Sequence, residues 1–495
     1  EVRIFAPDFP DWLENGNVGI KIAPDFRTLE IMRKALKQDQ IEDLAKRLSE
    51  NTGQKEELKT PFNPTLNEGQ LKAVEGCMDS EGLKIIHGPP GTGKTTTLVE
   101  LVRQLAKNKK RILVSAPSNA AVDHFTSQIA KHLSVVRIGN STKSREDIYE
   151  HTLEGKWISS KEIKDLKRLK IQADQLRKMA LQYKRSFGKS EREQRSLLFK
   201  EVNNLRKEIK SVKRHTESKW LESSSVIVGT PVAILDQYFD YDSFDLLVID
   251  EAAQCIEPLA WALFPFSKSV VLAGDPFQLP PTILSKEAAK LGLNISALER
   301  FLPLNYPIFF LPLQYRMPKT IADFSSAQFY QNRLESVKPE NDESLIFYDS
   351  AGADYVEQKP ENGGSLINPE EAHAIEKIIA NESVNLEKCA VLSPYSGQVT
   401  LLKELLPKTT RISTIDSYQG QEMDTVILSL VRSNNEQNIG FLSDYRRMNV
   451  AMTRAQSRLI VIGDSTTIGT DAFFGAFLDY VENNGMYKSV WELIE

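Results

Sequence analysis

Apolar positions along this chain alternate between two patterns. Short, largely apolar runs at residues 83–86, 111–115, 225–229, 245–250 and 269–274 end in small or polar residues, which predicts strands. Between them, apolar residues three and four apart, such as Leu98, Val99, Leu101, Val102 and Leu105, predict helices. Strands apolar on both faces and alternating with helices indicate a doubly wound parallel sheet, so the fold class is α/β. Residues 345–495 repeat the pattern, with strands at 345–349, 389–393, 412–415, 425–431 and 459–463 and a helix at 369–380. A second α/β domain is expected there. The expected division is an N-terminal segment over 1–60, a first domain over 61–310 and a second over 311–495.

The first sixty residues read differently. A β-like stretch at 18–22 lies in a region rich in Pro, Asp and Asn, and Leu29, Met32, Leu36, Ile41, Leu44 and Leu48 give 27–50 a helical period that Asn51-Thr52-Gly53 ends. Pro61 to Pro64 reads as a linker, after which Asn67 caps a helix carrying Gln70, Ala73 and Val74.

Charge singles out an insertion in the first domain, at about 141–224. Lys156 to Lys219 holds 20 Lys/Arg against 8 Asp/Glu, in a chain whose net charge is −5. Leu166, Leu169, Ala173, Leu176 and Ala180, then Leu198, Val202, Leu205, Ile209 and Val212, keep helical spacing on either side of Ser186-Phe187-Gly188. This predicts a helical hairpin with a basic outer face, either solvated or in contact with nucleic acid. Composition adds bounds: 495 residues, 41% hydrophobic and 26% charged, suit a soluble protein of several domains. No run approaches the 18 apolar residues of a membrane span, and no signal peptide follows Glu1. Cys77, Cys255 and Cys389 lack metal-ligand spacing and read as buried thiols in a reducing compartment. A cytoplasmic protein, or a nuclear one in a eukaryote, with no membrane partner is expected.

The candidate chemistry starts at Gly88-Pro89-Pro90-Gly91-Thr92-Gly93-Lys94-Thr95-Thr96, which fits G-x-x-x-x-G-K-[ST] between a strand and a helix. Such a loop wraps phosphate oxygens with backbone N–H groups, Lys94 reaching the β/γ-phosphates and the Thr95 hydroxyl holding Mg²⁺. ATP and Mg²⁺ are therefore the expected cofactors. Asp250-Glu251 ends an apolar strand; Asp250 suits the metal, and Glu251 suits orienting and deprotonating water. Gln278, after the turn Gly274-Asp275-Pro276, can bond both a γ-phosphate and that water. The second α/β half has no phosphate loop, so one nucleotide must serve both domains. Arg316 and Arg454 could supply cations to the transferring phosphoryl group when the domains close.

These stretches, with Asp250-Glu251-Ala252-Ala253-Gln254, Gln314-Tyr315-Arg316-Met317, Asp416-Ser417-Tyr418-Gln419-Gly420-Gln421-Glu422 and Asn449-Val450-Ala451-Met452-Thr453-Arg454-Ala455, occur in the order found in superfamily 1 helicases. Pro117-Ser118-Asn119-Ala120-Ala121-Val122-Asp123 and Val431-Arg432-Ser433-Asn434 resemble the up-frameshift-like group, most closely its immunoglobulin-mu-binding (Smubp-type) members. The resemblance covers residues 60–495. It implies two RecA-like motor domains and an ATP-dependent helicase or translocase acting 5′-to-3′ on single-stranded RNA or DNA with little sequence preference, as a monomer. It also implies that Gln70 reads the adenine edge, Tyr315 stacks on the base, and Gly420 and Glu422 lie near the ribose or phosphates. By the same resemblance Pro117, Ser118, Asn119 and Thr230 line the strand path in the first domain, and Ser393, Pro394, Tyr395 and Thr414 in the second. A β-barrel subdomain precedes the motor in the family; here only about sixty residues do, so the barrel is expected to be absent, truncated or fragmentary. Two rival readings are a translocase that strips proteins with little unwinding, and a nucleotide-switched clamp without turnover. The intact Glu251, Arg316 and Arg454 speak against the clamp.

Overall fold

The structure is a computed structural model and describes residues 26–49, 58, 60–78, 81–181, 188–237, 239–360 and 364–493. Seven strands, β1 (Gly82–His87), β2 (Ile112–Ser115), β3 (Val135–Arg137), β4 (Val226–Gly229), β5 (Phe244–Ile249), β6 (Ser267–Gly274) and β7 (Ile308–Phe310), form one parallel sheet in the order β3-β4-β2-β5-β6-β1-β7. A two-stranded ribbon of β8 (Leu313–Gln314) and β9 (Glu335–Ser336) follows. Six more strands, β10 (Leu345–Asp349), β11 (Cys389–Ser393), β12 (Arg411–Thr414), β13 (Met423–Ser429), β14 (Ala455–Gly463) and β15 (Met486–Ser489), make a second parallel sheet in the order β12-β11-β13-β14-β10-β15.

Each sheet is apolar on both faces because successive side chains on a strand point to opposite sides. In β5, Leu247 and Ile249 enter one core with Ile85, Val270 and Trp261, while Leu246 and Val248 enter the other with Ile86, Val114 and Val271. In the second sheet Val426 and Leu428 pack with Phe347 and Phe477, and Ile427 packs on the far side with Ile375 and Leu402. Each such side chain stabilises the fold by roughly 1.5–3 kcal/mol when fully buried. Parallel order puts every strand's C-terminal end on one edge, where open α/β sheets bind ligands. The doubly wound reading therefore holds for both halves.

Within the two large sheets, three strands escape the apolar pattern: β3, β7 and β15. All three lie at sheet edges, where one side is unpaired. The residues of β7 and β15 are only half-buried or exposed, so no continuous apolar run marks them. The expected helix over 27–50 is two helices, Phe26–Ala35 and Gln38–Ser49. The second is clamped to the first domain: Arg47 bonds Asp242 Oδ1 at 2.9 Å and the carbonyls of Phe264 and Ser267 at 3.0 Å. The stretches 18–22 and 51–53 lie outside the described residues. The basic insertion is a pair of helices, Ile163–Leu181 and Lys189–Ser223, whose buried seam includes Leu166, Ala173, Val202 and Leu205. At its base, Trp157 meets Trp220 edge-on at 5.0 Å and donates to Glu217 at 2.8 Å. Ser186 and Phe187, expected to break the two helices, lie outside the described residues. Among the described residues no helix is long and apolar enough to cross a membrane.

Beyond the end of β13, Val431 has φ +72°, a left-handed backbone that a β-branched residue adopts at a cost of about 1–3 kcal/mol. Its N–H donates to both oxygens of buried Glu371, at 3.1 and 3.0 Å, and its carbonyl accepts from Asn368 Nδ2 at 3.2 Å. Ser429 Oγ also donates to Glu371, at 2.6 Å. Burial pushes the Glu371 carboxyl up to about 8, although the Ser429 and Val431 hydrogen bonds favour its charged form. Between its ordinary value near 4.5 and 8 the folded chain holds a proton that the unfolded chain has lost. Stability from this group therefore falls as pH rises through that window. Melting curves should show a steeper loss of Tm from pH 4.5 to 8 in the native chain than in Glu371→Gln; equal slopes would contradict this.

Candidate active site

The phosphate loop leaves β1 and enters the helix Lys94–Lys107. Gly91 and Gly93 have φ +76° and +74°. A Cβ at Gly91 would lie 2.7 Å from Arg316 Cβ, and one at Gly93 would lie 2.5 Å from Gln70 Nε2, so both positions need glycine for conformation and for space. Thr92 Oγ1 ties back to the Pro89 carbonyl at 2.7 Å. The loop from Gly88 to Thr96, including Pro90, Thr95 and Thr96, forms one wall of a cleft of ≈ 1180 Å³ between the two sheets.

Asp250 and Glu251 follow β5 into this cleft. Lys94 Nζ lies 2.9 Å from Glu251 Oε1 and 3.8 Å from Asp250 Oδ1. Burial opposes the Lys94 charge, but Glu251 and Asp250 outweigh it and hold the pKa above the ordinary lysine value. Burial pushes Asp250 up to about 6, against the pull of Lys94. Glu251 has φ +51°, a strained backbone for a residue with a side chain. Asp250 Oδ1 accepts the Glu251 N–H at 2.9 Å. Thr95 and Asp250 bring hard oxygen donors to one side of the cleft, a set that suits Mg²⁺, which binds through few protein oxygens and keeps several waters.

The opposite wall carries both expected arginines. Arg316 Nη1 donates to the Thr453 carbonyl at 2.9 Å, and Nη2 pairs with Glu422 Oε2 at 2.6 Å. Arg454, buried, donates from Nε to the Val450 carbonyl at 2.9 Å, from Nη1 to that of Gln421 at 3.2 Å and from Nη2 to Gln278 Oε1 at 3.2 Å. Burial, then the neighbouring Arg316, pulls its pKa down to about 9, which leaves it cationic at neutral pH. Gln278 Nε2 donates to Asp275 Oδ2 at 3.0 Å, and that oxygen accepts from Tyr330 Oη at 2.7 Å. Asn449 Nδ2 reaches both Tyr330 Oη and the Phe277 carbonyl at 2.9 Å. A buried chain of hydrogen bonds thus joins the end of β6 to the helix Tyr445–Met452. Tyr315 is 43% exposed on the cleft wall; its N–H donates to the Gly91 carbonyl and its hydroxyl accepts from Asn67 Nδ2, both at 2.9 Å. Gly420 lies on the same wall, in a left-handed turn at φ +78°.

Several expected residues sit elsewhere. Gln70 does not line the cleft: its Oε1 accepts from the Asn67 N–H and its Nε2 donates to the Thr92 carbonyl, both at 3.0 Å, so its amide supports the phosphate loop. Ser118 caps the helix Asn119–Ala130 and touches the cleft, Pro117 is half-buried, and Asn119 Oδ1 accepts from Arg137 at 2.8 Å. Thr230 caps Pro231–Leu235. Pro394 is half-buried, and Thr414 Oγ1 donates to Ser417 Oγ at 2.9 Å. Ser393 and Tyr395, expected on the strand path, present no exposed side chain. Both are buried: Ser393 ends an internal strand, and the Phe441 ring packs against that of Tyr395. The cleft also holds Asp123, His124, Arg145, Gln254 and Lys338, which the sequence reading gave no role. Asp123 lay within the quoted Pro117–Asp123 stretch; Arg145 and Lys338 carry no local signal, since only tertiary folding brings them here. Asp123 Oδ2 accepts the Arg145 N–H at 3.0 Å, which anchors the start of the insertion beside the cleft.

Two family models, each described as an AAA domain, match residues 65–286 and 293–466. DNA-binding protein SMUBP-2 of Rattus norvegicus is 31% identical over 88% of this chain and 46% of its own length. The chain thus spans about half the length of the SMUBP-2 proteins it matches. DNA polymerase alpha-associated DNA helicase A of Schizosaccharomyces pombe is 32% identical over 87% of this chain and 68% of its own length. An uncharacterized ATP-dependent helicase of Methanocaldococcus jannaschii is 29% identical over 97% and 81%. With the phosphate loop, the acidic pair and both arginines converging on one cleft, the chain belongs to the SMUBP-2 and up-frameshift-like branch of the superfamily 1 helicases.

Proposed function

We propose that this chain hydrolyses ATP in the cleft between its two sheets and uses the cycle to move along single-stranded RNA or DNA. The observation that carries the reading is the opposition across the cleft. Lys94, Asp250 and Glu251 come from the first sheet, Arg316 and Arg454 from the segments beyond it, and Gln278 links the sides through its bond to Arg454. Lys94 binds the β- and γ-phosphoryl oxygens, the two arginines stabilise charge on the transferring group, and Glu251 accepts a proton from the attacking water. Mg²⁺, held by Thr95 and Asp250, would neutralise charge on the same oxygens. Tyr315 offers a ring for the adenine. Gln70 must exchange its Thr92 bond before it can read the base edge.

Since Gln278 contacts Arg454 and Asp275, a change at the γ-phosphoryl group alters the bonds between the domains. Strand bound across both domains is then gripped alternately, mainly through backbone and stacking, with slight sequence preference. The 5′-to-3′ direction, action as a monomer and a strand contact for the basic insertion belong to this proposal; the helicase names of the relatives support the activity itself. Glu251→Gln tests the role of the base. The amide keeps the shape but cannot take the proton, so ATP binding should persist while hydrolysis stops. Collapse of ATP affinity in that variant would make Glu251 a structural residue.

A further inference from the structure

With Tyr395 buried, the aromatic ring exposed at this end of the second sheet is Phe441. It stands in the short helix Gly440–Ser443, ahead of Tyr445–Met452, and is 63% exposed. Its ring lies 5.6 Å from that of Tyr395, tilted by 37°. Tyr395 is 2% exposed and so forms a fixed backing. The Phe441 N–H donates to Tyr395 Oη at 3.3 Å.

The ring is held by its surroundings. Gly440 has φ +53°, and a Cβ there would meet Tyr395 Oη at 3.0 Å and Arg432 Nη1 at 3.1 Å. Arg432 is buried, donates from Nε to the Asn438 carbonyl at 2.7 Å and pairs with Glu357 at 3.2 Å. Asn438 Oδ1 in turn accepts the Gly440 N–H at 2.9 Å. A scaffold anchored on buried Arg432 and Tyr395 thus fixes an aromatic ring in water.

Two features choose the occupant. Tyr395 directly follows Ser393-Pro394 at the end of β11, and Ser393 pairs with Thr414 of β12, so the ring stands at the ligand-binding edge of the sheet. Its exposed chain neighbours, Asn435, Glu436, Gln437, Asn438, Gly440 and Ser443, carry no apolar side chain. A lone flat ring among polar groups suits another flat ring, whereas a protein partner would need a contiguous apolar patch. We propose that Phe441 is a stacking platform for a nucleobase of the bound single strand. This rests on the helicase reading above, and it places in the second domain a base contact that Tyr395 cannot make.

The test uses the full chain and two fluorescently labelled oligomers of equal length, oligothymidylate and an abasic strand with the same backbone. Removing one stacked base should weaken oligothymidylate binding by Phe441→Ala about tenfold. Phe441→Tyr should restore it, and the abasic strand should bind the native chain and Phe441→Ala alike. A matching melting temperature checks that Phe441→Ala folds. Equal losses on both strands, or no loss on oligothymidylate, would overturn the proposal while the helicase reading stands. If the native chain binds neither strand, the helicase reading falls, and the proposal with it.

Discussion

Lys94→Ala is expected to lower the rate of ATP hydrolysis by roughly 10²–10³-fold or more, the scale seen when one preorganised charge donor is removed from a transition state. The Lys94 side chain is 10% exposed, its ammonium 2.9 Å from Glu251 and 3.8 Å from Asp250, and those carboxylates keep it charged. Alanine removes the cation that meets the transferring phosphoryl group. It also leaves Asp250 and Glu251 side by side without the cation between them, which pushes the buried Asp250 further toward its neutral form. Lys94→Arg should not rescue, because a guanidinium is larger and must fit where the loop already closes tightly on Lys94. A Cβ at Gly88 would lie 3.0 Å from Lys94 Cβ. Steady-state phosphate release is the measurement, and near-normal turnover would remove this loop from the reaction.

Arg316→Ala and Arg454→Ala should each lose turnover by about 10³–10⁵-fold, as expected for an arginine that reaches the phosphoryl group from the opposite side. Both guanidinium groups are pre-positioned by carbonyls, Arg316 by Thr453 and Arg454 by Val450 and Gln421. Their orientation is therefore already determined when the nucleotide arrives. Arg454 also holds Gln278, which bonds Asp275 and through it Tyr330 and Asn449. Losing Arg454 should thus break the path by which strand binding reaches the nucleotide. Grip on single strands without ATP should survive in both variants, while stimulation of hydrolysis by added strand disappears. Undiminished stimulation in both would make these arginines ordinary residues of the domain edge.

Much of this cleft could be read from the chain because its parts are local. A glycine loop between a strand and a helix, and two carboxylates ending an apolar strand, each fit within a few residues. The paired arginines could be read only through the order of motifs, since nothing near Arg316 or Arg454 says that they meet. Burial and local bonding are what the chain shows least. Tyr395 follows a strand as expected, but Phe441, 46 positions later, covers its ring. Gln70 is typed to read a base, yet it caps its own helix with Asn67 and supports Thr92. The edge strands β7 and β15 carry no apolar run because their residues are only half-buried or exposed, whereas β3 is buried but is three residues long and ends in Arg137. The link from Asp275 through Tyr330 to Asn449 joins residues from three distant stretches, and no periodicity marks it.

The most direct test of a strand-coupled ATPase is the rate of ATP hydrolysis by the native chain with and without single-stranded oligomers of RNA and of DNA. Slow hydrolysis by the chain alone, rising several-fold with at least one type of strand and falling back when Arg316 or Arg454 is replaced, is the expected result. A rate that no strand alters would contradict coupling between the cleft and nucleic acid.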